Sequence, residues 1–171
     1  MKHIELPFYR LLKTNKNGRY STLKGTIDIK EVWESNKEVF ITLNNCDTEN
    51  DILPVYDRPF LIISEQVKDV LSFYEPEIKF RKCVFAEERY DVIEAAYLVK
   101  APELDCLHSS SEVLNKGLIK NIIIDRNKVD DRRVFQLKGI IAQYLIVNTE
   151  VVEALLHENI WPFEYQEIET R

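Results

Sequence analysis

Hydrophobic and polar positions fall into a regular pattern from residue 60 onward. Phe60-Leu61-Ile62-Ile63 is a continuous apolar run of strand length. Ser64 follows, with a hydroxyl placed to accept a hydrogen bond from an unpaired amide of a first helical turn. Glu65 puts a negative charge where the helix dipole favours one. Val67, Val70, Leu71 and Tyr74 recur at i, i+3, i+4 and i+7, so they form one apolar helix face. Pro76 ends that helix, because proline lacks the amide that a continuing helix needs. The alternation over Glu77–Phe85 predicts a second strand, with Ile78, Phe80 and Val84 on one face.

The same order returns 84 residues later. Tyr144-Leu145-Ile146-Val147 predicts a strand, Asn148 its cap and Glu150 the first helical turn. Val151, Ala154 and Leu155 take the places of Val67, Val70 and Leu71. Trp161-Pro162 closes the helix, and Phe163, Tyr165 and Ile168 belong to a closing strand. Leu61, Ile62, Val67 and Leu71 return unchanged as Leu145, Ile146, Val151 and Leu155. One strand–helix–strand unit is therefore expected twice, near residues 60–85 and 144–169.

Elsewhere the pattern predicts strands and turns. Tyr9–Thr14, Val39–Leu43, Asp91–Lys100, Leu118–Asp125 and Val134–Leu137 read as strands. Asn17-Gly18, Lys24-Gly25 and Lys138-Gly139 read as turns, and Asn44–Asp51 as a polar loop. Pro54 and Pro59 hold an extended passage between that loop and the first unit. Ser109, Ser110 and Ser111 are placed to cap a helix starting near Glu112. Arg126–Arg133 is dense in both charges and reads as an exposed turn. The expected class is α+β: a mixed, mainly antiparallel sheet with a few short helices. Residues 1–59 read as a β-rich subdomain or extension, and residues 60–171 as the main domain, within a length that also suits one compact domain.

Composition narrows the functional classes. The chain has 171 residues, 45% of them hydrophobic, so a substantial core is expected without covalent staples. Its net charge of −6 opposes nucleic-acid binding and suits a basic partner. Cys46, Cys83 and Cys106 are odd in number and widely spaced, which fits reduced thiols rather than a disulfide framework. The first twelve residues hold no apolar run long enough for a signal peptide, and the longest apolar stretches are strand-sized. A cytoplasmic protein with no membrane partner is expected.

No constellation carries chemistry by its spacing. Cys106, His108 and Ser109 form the most suggestive cluster, as the site of a hydrolase or transferase. Neighbours in sequence seldom form a nucleophile–base pair, however, and no glycine elbow surrounds the serines. Cys106 and His108 lack a second pair at metal-ligand spacing, while His3 and His157 stand alone. His157 falls late in a helix, where the dipole favours a partly positive ring. Glu87-Glu88 and Asp91 read as turn or surface carboxylates. Gly18, Gly25, Gly117 and Gly139 fit no phosphate-binding loop. No catalytic, cofactor-binding or metal-binding residue is expected, and no cofactor.

The order of segments nevertheless resembles a known family. It runs Phe60–Leu71, Tyr97, Leu104-Asp105-Cys106-Leu107 with the serines after it, and Ile122–Asp125. Val134-Phe135-Gln136-Leu137, Tyr144–Leu155 and Pro162-Phe163-Glu164-Tyr165 complete it. This is similar to the bacterial family described as Imm11 or DUF1629, over about residues 60–169. The resemblance implies an immunity protein that binds and neutralises a cognate toxin inside the producing cell, and it brings no catalytic residues. On that reading the expected partner is a basic toxin, met by the acidic loops around Asp47, Glu49, Asp51, Asp125, Asp130 and Asp131. A phage-derived or structural adaptor assembling through a sheet edge is the other alternative.

Overall fold

The computed structural model describes residues 6–14, 22–24, 28–48, 51–87, 93–114 and 118–171. Along the chain these form β1 (Phe8–Leu12), β2 (Thr22–Lys24), α1 (Ile29–Glu34), β3 (Phe40–Asn44), β4 (Val55–Tyr56) and β5 (Ile62–Ser64). Next come α2 (Glu65–Tyr74), β6 (Lys79–Glu87), β7 (Ile93–Lys100), β8 (Glu103–Leu104), β9 (Glu112–Val113) and β10 (Ile119–Asn121). The chain ends with β11 (Ile123–Ile124), a single 3-10 turn over Arg126–Lys128, β12 (Val134–Leu137), β13 (Leu145–Asn148), α3 (Thr149–His157) and β14 (Glu164–Thr170). The class is α+β with mixed, mostly antiparallel sheets, as the pattern predicted. No helix among the described residues is long and apolar enough to cross a membrane.

Two six-stranded sheets repeat one design. Their orders are β2-β3-β6-β7-β5-β4 and β11-β14-β1-β13-β12-β8. In each expected unit the two strands around the helix are not neighbours. One strand lies between them, antiparallel to both: β7 between β5 and β6, and β1 between β13 and β14. This is a split β-α-β arrangement. The likeness continues outward on both sides. β3 runs parallel to β6 as β11 does to β14, and β4 pairs antiparallel with β5 as β12 does with β13. Registers agree as well. Ile63 faces Val55 and Tyr97, while Val147 faces Val134 and Tyr9. The repeat therefore spans five strands and a helix in each half, and the N-terminal β1 closes the second half. Residues before 60 thus contribute to both sheets.

Alternation across the strands divides the core into three layers. Leu61 and Ile63, with Leu145 and Val147, face α2 and α3, where Val67, Leu71, Val151 and Leu155 are fully buried. Ile62, Tyr56, Cys83 and Phe85 face the other way and pack under α1. Ile146, Phe135, Cys106 and Ile124 form the matching layer behind the second sheet. Covering both faces explains why the strands before α2 and α3 are continuous apolar runs rather than alternating ones. The outermost strands of both sheets, β2, β4, β8 and β11, are two or three residues long. Such short edges offer little for strand addition.

Both helix caps are as predicted: Ser64 accepts from the Val67 amide, and Asn148 from the Val151 amide. Gly139 takes a positive φ of 78° in its expected turn. Five expectations need correction. Glu112–Val113 is a strand paired with Ile119–Asn121, not the start of a helix, because Ser111 spends its hydroxyl on the Ile123 backbone instead of capping. Leu118–Asp125 is two short strands joined at Ile122, with β10 turned to β9 and β11 to β14. Helix α1 was not expected. Asp28 caps it by accepting from the Lys30 and Glu31 amides, and Val32 is its buried residue. On β6 the face opposite Phe80 is also buried, through Cys83 and Phe85. The Arg126–Arg133 turn is not wholly exposed, since Val129 plugs the layer behind the second sheet. His3, Gly18, Gly25, Glu49, Glu88, Asp91 and Gly117 lie outside the described residues.

Candidate functional site

The two acidic loops occupy equivalent places in the repeat. Asp47 and Asp51 lie between β3 and β4, and Asp125, Asp130 and Asp131 between β11 and β12. In the first loop, Asp51 turns its carboxylate inward. One oxygen accepts from the Asp47 amide at 2.9 Å and from the Thr48 amide at 2.8 Å. Asp47 is exposed. Beneath them the buried Cys46 thiol is raised from its ordinary value, first by burial and then by Asp51, Glu87 and Asp47.

In the second loop the cations are engaged by the protein itself. Arg126 donates to the Leu6 carbonyl, and its guanidinium lies over the Phe8 ring. Lys128 pairs with Asp125, which also caps the 3-10 turn through the Asn127 amide. Arg132 donates to Glu75 at 2.7 Å and to Glu77 at 3.0 Å, and these bonds raise its pKa. Arg133 pairs with Glu150 at 3.0 Å. Asp130 and Asp131 are exposed, and neither has an ion-pair partner among the described residues. Asp130 sits at a positive φ of 53°, a conformation that aspartate tolerates better than most residues. Charges that look balanced along the sequence are thus unequally engaged: each of the four cations has a partner, whereas Asp130 and Asp131 have no ion-pair partner among the described residues.

Cys106, His108 and Ser109 do not form a nucleophile–base pair. Cys106 is fully buried, and burial pushes its thiol up to about 11, the reverse of what a thiolate nucleophile needs. Half-buried His108 accepts from the Ser110 amide through Nδ1 at 3.1 Å. Ser109 is exposed. Among the described residues no three His, Cys, Asp or Glu side chains converge as metal ligands would.

A cavity of about 480 Å³ lies where the two halves meet, and the sequence pattern singled out none of the residues in its wall as a binding residue. Arg10 of β1 reaches across from the second sheet to Asp57, which follows β4 in the first, at 3.1 Å. The Arg10 guanidinium stacks on the Tyr144 ring at 3.7 Å. Asp57 also accepts from the Lys13 amide. Burial lowers the Arg10 pKa, and Tyr144 and Asp57 oppose that shift. The only sequence signal was a charged residue inside the apolar run Phe8-Tyr9-Arg10-Leu11-Leu12. The chain matches no protein-family model and no curated protein sequence.

Proposed function

We propose that this chain is a non-catalytic binding protein of the immunity type, which neutralises a cognate bacterial toxin by direct contact in the cytoplasm. The carrying observation is the unequal pairing of charge in the Asp125–Arg133 loop. Its cations are engaged by Leu6, Asp125, Glu75, Glu77 and Glu150, while the exposed Asp130 and Asp131 have no ion-pair partner among the described residues. The resemblance of residues 60–169 to the Imm11 or DUF1629 family supports the reading, as does the net charge of −6.

The mechanism asks little of the protein beyond position. A negative surface accelerates encounter with a basic toxin and fixes its register, and a rigid loop seated on the toxin's active site excludes substrate. Strands β11 and β12 hold the Asp125–Arg133 loop at both ends, which limits the ordering entropy lost on docking.

The test is calorimetry with the purified product of the reading frame adjacent to this chain's own. Stoichiometric binding is expected, weakening about tenfold between about 50 and 300 mM salt, and weakened further by Asp130→Asn with Asp131→Asn. Absence of binding to that product overturns the immunity reading. Salt-independent binding that tolerates both substitutions overturns the role given to the loop.

A further inference from the structure

We infer that the cavity between the two halves is a binding site for a small organic carboxylate with an apolar body. This site is separate from the acidic loops, and its assignment does not rest on the toxin reading.

The repeat itself marks the position. Tyr9 faces Val147 as Tyr97 faces Ile63, so the next residue on each strand corresponds: Arg10 faces Ile146 where Leu98 faces Ile62. Leu98 is a core residue. The second half has thus placed a guanidinium where the first half has a buried leucine. Burying a cation is costly unless it is paired and fully hydrogen-bonded. Asp57 and the Tyr144 ring meet part of that demand. The Arg10 Nε–H is buried and has no hydrogen-bond partner among the described residues. The Arg10 side chain also lines the cavity, so an anion held there would add to the compensation that Asp57 and Tyr144 begin.

The wall of the cavity defines the rest of the ligand. Arg58 adds a second guanidinium whose ion pair to Asp57 is long, at 3.8 Å. Arg10, Arg58 and Asp57 together carry one net positive charge, which a monoanion would neutralise. Leu114, Leu118 and Ile141 line the same cavity and are exposed, Ile141 at 73%. Three exposed aliphatic side chains around one mouth mark an apolar binding surface more than a solvated one. The volume lies in the range of small-ligand sites, and a guanidinium set in apolar walls is a recurrent way to orient a carboxylate.

Titration calorimetry of the full chain with sodium octanoate tests this, with sodium acetate and 1-octanol as probes lacking the tail or the charge. One equivalent of octanoate is expected to bind, about tenfold or more tighter than either control. Replacing Arg10→Met together with Asp57→Asn, so that no buried carboxylate is left alone, should lower octanoate affinity by about the same factor. Ile141→Asp alters only the exposed mouth and should weaken binding without changing the melting temperature. If the double variant does not fold, Ile141→Asp decides the question. Equal binding of octanoate and octanol, no saturable binding, or unchanged affinity in Ile141→Asp overturns the site.

Discussion

Arg132 and Glu75 join the two halves of the repeat. The guanidinium, from the loop before β12, donates at 2.7 Å to a carboxylate at the C-terminal end of α2 whose side chain is 5% exposed. A negative charge at a helix C-terminus opposes the helix dipole, so this carboxylate depends on its cation. Arg132→Ala is expected to cost about 2 kcal/mol, less than a fully buried pair because Arg132 is itself partly exposed. Adding Glu75→Gln should recover much of that loss. Urea denaturation of the single and double variants measures both effects, and full additivity would show that the pair is not coupled.

The matched helix faces carry much of the shared core. Leu71 and Leu155 are fully buried in the core cluster that both helices share with both sheets. Either Leu→Ala change should cost about 2–5 kcal/mol. Either Leu→Asp change should abolish cooperative unfolding, since a buried unpaired carboxylate consumes most of a typical domain's stability. His108→Ala, in a loop, should shift stability by less than about 1 kcal/mol. Thermal and urea melts distinguish these outcomes.

The buried thiols give the fold an alkaline limit. Burial pushes Cys83 up to about 12. A raised thiol pKa means that the folded state holds its proton longer than the unfolded chain does. The contribution is complete below the unfolded value of about 8.5. It is lost as pH rises from there toward 12, at about 1.4 kcal/mol per pH unit. The stability of the native chain relative to Cys83→Ala should therefore fall by about 2 kcal/mol between pH 8 and 10.5. A relative stability that is flat across this range would contradict the buried-thiol assignment.

Sequence pattern revealed the local grammar and missed the long-range pairing. Ser64 and Asn148, the apolar helix faces and the runs before them were legible because each signal lies within about a dozen residues. The place of β1 between β13 and β14 was not. Tyr9 meets Val147 and Glu167 across most of the chain's length, and that choice is made by two buried faces rather than by propensity. The serines before Glu112 read as caps, yet Ser111 satisfies the Ile123 backbone, a partner that only the folded chain supplies. Helix α1 did carry a signal, Asp28 before Ile29, Val32 and Trp33, but six residues are too few to stand out. Arg10 and Asp57 are 47 residues apart, so no spacing could announce their contact.

The acidic loops show the same limit in electrostatics. Along the sequence, Arg126, Lys128, Arg132 and Arg133 balance Asp125, Asp130 and Asp131. Only the fold reveals that the cations are held by their own chain.

Growth of cells expressing the product of the reading frame adjacent to this chain's own tests the functional claim most directly. Co-expression of the native chain should restore growth, and His108→Ala should restore it equally. Asp130→Asn with Asp131→Asn should protect measurably less while remaining folded. Failure of the native chain to protect, or loss of protection on His108→Ala alone, would contradict neutralisation by direct binding.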